Sequence, residues 1–174
     1  MKKTLVGIGV AALLVTVSNA SLWSDFFNNN PSNQWDVTAY GLNNVSTSQL
    51  DISRGWGGGA RVGYWISPSV GASLDFNYCD SRWTFGSLAL TARGTINLGS
   101  LGSVSPYVLA GPGYSFQYSN PGGVSPQEVV AIAGSGATLH FNAIKWCDFM
   151  GEYVHITTKP EAQNQVRFGI TKRF

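Results

Sequence analysis

Six charged residues carry most of the chemistry that this chain of 174 residues has to offer: Asp36, Asp75 and Glu152 as acids, and Arg61, Arg93 and Arg167 as permanent cations. Each interrupts a segment in which apolar residues recur at every second position, so each belongs to the polar face of an amphipathic strand. If those faces converge on a narrow, poorly hydrated space, the charges must pair, because an unpaired ion held away from water costs several kcal/mol. Such a set has two uses. It is a gate or proton path if partners exchange, or a fixed lattice that fills the space, and the lattice is the reading taken here. No metal or cofactor is expected: His140 has no second His or Cys at ligand spacing. Cys79 and Cys147 are the only cysteines, and an oxidising compartment would let them pair. The strand layout below puts them at opposite ends of the fold, about a membrane thickness apart, which forbids a bridge, so two free thiols are expected.

The elements that must hold these residues follow from the same alternation. At the C-terminus Val166, Phe168, Ile170 and Phe174 alternate with Arg167, Thr171 and Arg173. A half-apolar strand running to a terminal aromatic points to an end bound into a closed sheet, since free termini usually fray. Upstream, 35–40 sets Asp36, Thr38 and Tyr40 against Trp35, Val37 and Ala39, and a polar loop over 42–54 follows. Strand 56–66 sets Ala60, Val62, Tyr64 and Ile66 against Gly59, Arg61, Gly63 and Trp65, and turns at Ser67-Pro68. Strand 70–78 is the cleanest, with Val70, Ala72, Leu74, Phe76 and Tyr78 opposing Gly71, Ser73, Asp75 and Asn77. Strand 83–98 carries Arg93, and a Gly/Ser turn over 98–105 precedes strand 106–114, where Pro112 predicts a bulge or local break because it lacks a ladder donor. After loop 119–127, a sixth strand sets Ala131, Ala133, Ala137 and Leu139 against Ile132, Gly134, Gly136, Thr138 and His140. The seventh, 145–158, has an open facing: Asp148 and Glu152 belong inside, which would put Phe149, Gly151, Tyr153 and His155 outside.

That makes about eight strands with both ends on one side, the even count of single-chain barrels in membranes. Composition agrees. Charged residues are 11% of the chain, against roughly 25% in ordinary globular proteins, and no apolar run after the N-terminal segment reaches the length of a spanning helix. Residues 1–20 read as a cleaved signal peptide: Met1-Lys2-Lys3 is basic, an apolar run extends to Val17, and Ser18-Asn19-Ala20 supplies small residues at the cleavage point. Without Lys2 and Lys3 the acidic and basic residues balance, so no nucleic-acid partner is expected. Residues 21–34 form a lead-in that is either a short amphipathic helix at the membrane or barrel mouth, through Leu22, Trp23, Phe26 and Phe27, or an irregular segment resting on the barrel. Residues 35–174 form the barrel.

With its terminal strand and the run Pro106-Tyr107-Val108-Leu109-Ala110-Gly111-Pro112-Gly113-Tyr114, the chain resembles the small bacterial outer-membrane β-barrels of the OmpA transmembrane-domain and OmpX-like group. The resemblance implies an all-β, single antiparallel up-and-down transmembrane barrel in the cell outer membrane. It implies an assembly signal for the barrel-assembly machinery at Phe168, Ile170 and Phe174, contact with outer-membrane lipid, and a structural or loop-binding role as a monomer, the loop partner being unnamed. In a lumen of that size side chains fill the interior, which favours a closed network over a pore.

Enzymes on this scaffold include a lipid A deacylase with a His-x-Ser pair on a lipid-facing strand. His155-Ile156-Thr157 resembles that pair, but Thr157 replaces the serine and Glu161, in a loop, is the nearest acid, so the hydroxyl lacks an oriented base. Trp56-Gly57-Gly58-Gly59 is a local likeness to a lipid A palmitoyltransferase, with no outer-loop His to act as base. The reading is therefore a structural or interaction barrel that is not an enzyme. The alternatives are a deacylase-like enzyme and a secreted, soluble, lipocalin-like barrel with a polar exterior and an oily cavity. Mid-strand Arg61, Asp75, Arg93 and Glu152, accompanied by glycines, suit a narrow wet lumen better than a solvent face.

Overall fold

A computed structural model describes residues 32–45, 55–79, 83–117, 127–157 and 162–174. The expected leader, nearly all of the lead-in, most of the 42–54 loop and Glu161 lie outside those residues. Within them the chain is antiparallel strand almost throughout: β1 (Gln34–Asn44), β2 (Gly55–Trp65), β3 (Val70–Cys79), β4 (Trp83–Arg93), β5 (Ile96–Asn97), β6 (Gly102–Gln117), β7 (Gln127–Phe141), β8 (Asp148–Thr157) and β9 (Gln163–Arg173). The long strands pair with their sequence neighbours, β1 pairs with β9, and β4 pairs with β6, so the sheet closes on itself. Because β5 only continues β4 beyond Gly94 and Thr95, eight strands cross, and the expected up-and-down barrel is the fold. Closure leaves no edge to hydrate, the condition for a sheet in lipid. The long strands run from 10 to 16 residues, enough to span the hydrocarbon, which takes about 9–11 tilted residues.

Local chemistry makes the turns at the end where β1 begins and β9 ends. Ser67 Oγ accepts the amides of Val70 at 3.0 Å and Ser69 at 3.4 Å, reversing β2 into β3. Between β5 and β6 a 3-10 turn, Gly99–Leu101, ends on Gly102 at φ +136°, where a side chain would run into the His140 carbonyl. Asn142 Nδ2 donates to the carbonyls of Gly99 (3.3 Å) and Ser100 (3.1 Å), joining this turn to the one after β7.

Two facings follow from the period of two. Leu74, Phe76, Leu88, Leu90, Val129 and Phe168 are 51 to 74% exposed and form an apolar outer belt. Trp56 stands at the loop end of that belt, and Trp35, Trp146 and Phe174 at the other, all exposed, in the manner of the aromatic girdles of membrane barrels. Asp36, Arg61, Asp75, Arg93, Asp148, Glu152 and Arg167 occupy the alternate, buried positions. This overturns the soluble lipocalin-like alternative, which needs a polar exterior around an oily cavity: the two sides are reversed.

Several boundaries move. Leu42, read as loop, is the ninth residue of β1 and is 1% exposed inside the barrel. β6 starts at Gly102 rather than 106, and β8 at Asp148 rather than 145. The open facing of the seventh strand resolves with Asp148, Met150, Glu152, Val154 and Ile156 inward. At Pro112 there is no bulge: the register runs from Ser87 opposite Gly113 to Leu90 opposite Ala110, and only Leu88 and Ala89 drop out of the ladder between β4 and β6. The missing proline N–H accounts for that local break.

Candidate functional site

The mid-strand residues Arg61 (β2), Asp75 (β3), Glu152 (β8) and Arg167 (β9) meet across the lumen. Arg61 donates from Nε and Nη2 to Asp75 Oδ2 at 3.0 and 2.9 Å, and from Nη1 and Nη2 to Glu152 Oε2 and Oε1, both at 2.7 Å. Arg167 Nη1 donates to Asp75 Oδ2 at 3.0 Å and Glu152 Oε1 at 3.1 Å. Each guanidinium thus serves both carboxylates, and the four side chains are 10%, 2%, 0% and 1% exposed. Planar guanidinium forks suit this sharing in a way that a point-charge ammonium does not.

Neutral groups complete the set. The Tyr40 hydroxyl donates to Asp75 Oδ1, and the Tyr107 hydroxyl donates to Glu152 Oε2 at 2.8 Å. Gln165 Oε1 accepts from Arg167 Nε and Nη2 at 2.9 and 2.7 Å. These three were not among the site residues read from the sequence, although each sits on the polar parity of its strand. Glycine at 59 gives the Tyr40 hydroxyl its space, and glycine at 136 does the same for the Tyr107 ring.

Asp36 and Arg93 lie apart from this centre, at the end where β1 begins and β9 ends. The indole Nε1–H of Trp65 donates to Asp36 Oδ2. The Arg93 guanidinium stacks 3.5 Å over the Trp65 ring while its Nε donates to the Pro68 carbonyl at 3.1 Å. The same end holds Asp148, between His140 Nδ1 at 2.6 Å and Arg173 Nη2 at 2.8 Å. On the loop side of the centre the lumen holds an apolar cluster, Leu42, Phe85, Val130, Ile132, Val154 and Ile156, beside buried Asn44, Asn77, Ser115 and Gln163. An apolar cluster inside a barrel was not expected from the alternation, because Val154 and Ile156 flank an outward His155 without any polar contrast.

The weak catalytic candidates stand on the outer face. His155 Nδ1 lies 2.8 Å from Asn164 Oδ1, which also accepts the Tyr153 hydroxyl at 2.7 Å. The Thr157 hydroxyl donates to the Ala131 carbonyl at 3.0 Å and accepts the Ala131 amide at 2.9 Å, so it is committed to the wall of the barrel. Glu161 lies outside the described residues. Cys79, at the loop end of β3, accepts from Asn44 Nδ2 at 3.2 Å, and Cys147 precedes β8 at the opposite end. Among the described residues no three His, Cys, Asp or Glu side chains gather as a metal site.

No family model matches the sequence, and no curated protein does. Solved structures do. The chain is similar to the N-terminal β-barrel domain of Pseudomonas aeruginosa OprF, with a TM-score of 0.63 and 18% identity over 82% of this chain and 98% of that one. It is similar to Neisserial surface protein A, at 0.56 and 14% over 81% and 96%. It is also similar to Ail, the attachment invasion locus protein of Yersinia pestis, at 0.51 and 16% over 83% and 100%. At these identities the likeness is one of fold: the chain shares with these outer-membrane proteins an eight-stranded antiparallel up-and-down β-barrel.

Proposed function

We propose that the protein is a structural, non-enzymatic barrel of the outer membrane, monomeric, with a lumen closed at mid-height by the Arg61, Asp75, Glu152 and Arg167 lattice and with outer loops free to bind a partner. The observation that carries the reading is the sharing of both carboxylates by both guanidiniums, with the apolar cluster around Leu42 and Ile132 stacked on its loop side. Ions would have to cross a satisfied charge lattice and then pass the packed apolar side chains of Leu42, Phe85, Val130, Ile132, Val154 and Ile156, and each step is costly. The loop role is supported only by kinship of fold with an attachment protein. A non-enzymatic role is supported by the commitment of Thr157 to Ala131, which leaves His155 no hydroxyl to activate.

Planar-bilayer recording on the refolded barrel tests the closed lumen. The expected trace shows no stepwise conductance at moderate voltage; stable open channels of uniform size would refute the seal.

A further inference from the structure

Between the central lattice and the end of the barrel where β1 begins and β9 ends lies a cavity of about 40 Å³, room for a few waters. Ser73 is on its wall, and the Ser73 hydroxyl has no hydrogen-bond partner in the chain. Two more buried hydroxyls, Ser87 and Ser115, share that condition. The three residues are 6%, 8% and 2% exposed and face the lumen from neighbouring strands, β3, β4 and β6. Their register sets them on one ascending line. Ser73 stands opposite Ala89 and Ser87 opposite Asp75, so the two serines are diagonal neighbours across β3 and β4. Ser87 stands opposite Gly113 and Ser115 opposite Phe85, the same relation across β4 and β6. Diagonal neighbours in a ladder are about 7–8 Å apart, and one water hydrogen-bonded on both sides spans about 5.5 Å. Buried hydroxyls without protein partners usually mark ordered water. The line therefore suits a file of waters that starts in the cavity, climbs past the height of Asp75, and so passes the lattice on its β4 side.

The residues on the crossing diagonals decide where such a file is open. Between Ser73 and Ser87 the crossing pair is Ala89, a single methyl group, and Asp75. The Asp75 oxygens are turned to Tyr40, Arg61 and Arg167, on β1, β2 and β9, the far side of β3 from β4. Between Ser87 and Ser115 the crossing pair is Phe85 and Gly113. Here the Phe85 ring lies over Gly113, so close that a Cβ at 113 would come within 2.6 Å of Phe85 Cζ. The ring crosses the line between the two hydroxyls and separates them. Water offered an apolar ring in place of a hydrogen-bond partner withdraws, which is how hydrophobic constrictions close narrow pores. We propose, resting on the closed lumen argued above, that Phe85 is the side chain that makes the seal on the β4 side of the lattice. It is a stopper in a hydroxyl-lined water path, and without its ring the barrel conducts water.

Osmotic shrinkage of vesicles carrying the refolded barrel, followed by stopped-flow light scattering, tests this role with water as the probe. Potassium chloride conductance is recorded on the same preparations, and folding of each variant is read from its unboiled gel mobility. The wild type is expected to shrink at the rate of protein-free vesicles, and Phe85→Ala several-fold faster. Adding Ser87→Val to Phe85→Ala removes a hydroxyl from the file and should cancel most of the excess rate. Leu88→Ala, on the lipid face of the same strand, should keep the wild-type rate. A tight wild type beside an equally tight, folded Phe85→Ala overturns the role of Phe85 and leaves the closed lumen standing. So does a Leu88→Ala that leaks as fast as Phe85→Ala, or a wild type that excludes ions but already passes water at the Phe85→Ala rate. A wild type that conducts ions overturns the closed lumen and the role of Phe85 together. If Phe85→Ala does not fold, Phe85→Leu, whose side chain ends short of Gly113, takes its place, and a wild-type rate in folded Phe85→Leu overturns the role equally.

Discussion

At the scale of single residues, the tightest constraint is Arg167, 1% exposed and donating to Asp75, Glu152 and Gln165 at once. Its removal leaves two buried carboxylates with one guanidinium between them. Arg167→Met is expected to lose about 3–5 kcal/mol of stability, the usual cost of breaking a buried ion set from one side, and Arg167→Lys to recover only part, since a lysine cannot span two acceptors in one plane. Urea unfolding in lipid vesicles, followed by tryptophan fluorescence, measures both; a loss under about 1 kcal/mol for Arg167→Met would put the lattice in the class of weakly contributing surface pairs. Arg61, Asp75 and Glu152 were readable as mid-strand charges and Arg167 as an inward one, whereas Arg93, also read as mid-strand, is the last residue of β4. The partition of these four from Asp36 and Arg93 was not readable, because strand parity says which side a residue faces and nothing about its height along a tilted barrel. Tyr40 and Tyr107 were hidden because a tyrosine suits a lumen and an interface alike.

At the scale of elements, Pro112 and Gly111 mark an interruption in the ladder between β4 and β6. A side chain at Gly111 would collide with the Leu88 carbonyl, so β6 and β4 approach closely there even though their ladder skips Leu88 and Ala89. Gly111→Val should therefore abolish the folded, heat-modifiable form. Pro112→Ala restores a donor without altering the register and should raise stability by about 0.5–1.5 kcal/mol, one net hydrogen bond; a destabilised Pro112→Ala in the same urea titration would show that the break is needed for packing. At the terminal strand, folding and assembly can be tested apart. The Phe174 amide donates to the Trp35 carbonyl at 2.8 Å while its side chain is 67% exposed. Phe174→Ala should thus shift refolded stability by no more than about 0.5 kcal/mol yet lower the yield in the outer membrane several-fold in cells, if the ring is what the assembly machinery reads. Strand identity was legible wherever alternation was clean, as in β3. It blurred at Leu42, where an apolar residue on the inward parity looks like the start of a loop, and in β8, where Met150, Val154 and Ile156 face in beside Asp148 and Glu152.

At the scale of the whole molecule, the fold is an inversion of a soluble barrel: charges and hydroxyls inside, an apolar belt outside, and aromatic rings at both rims. The alternation in the sequence specified two faces without saying which one met lipid, and scarcity of surface charge decided it, because a solvent-facing barrel of this size would carry many more lysines and glutamates. The structure closes the argument by burying the charges with one another. The central claim, a closed barrel that resides in a membrane, is tested most directly by the gel mobility of protein extracted from a washed membrane fraction, boiled against unboiled. The expected result is a membrane-borne protein whose unboiled form migrates faster than its boiled form, the mark of a detergent-resistant closed sheet. Recovery in the soluble fraction with one mobility for both samples would contradict it, and would reverse the inward and outward assignment of every strand.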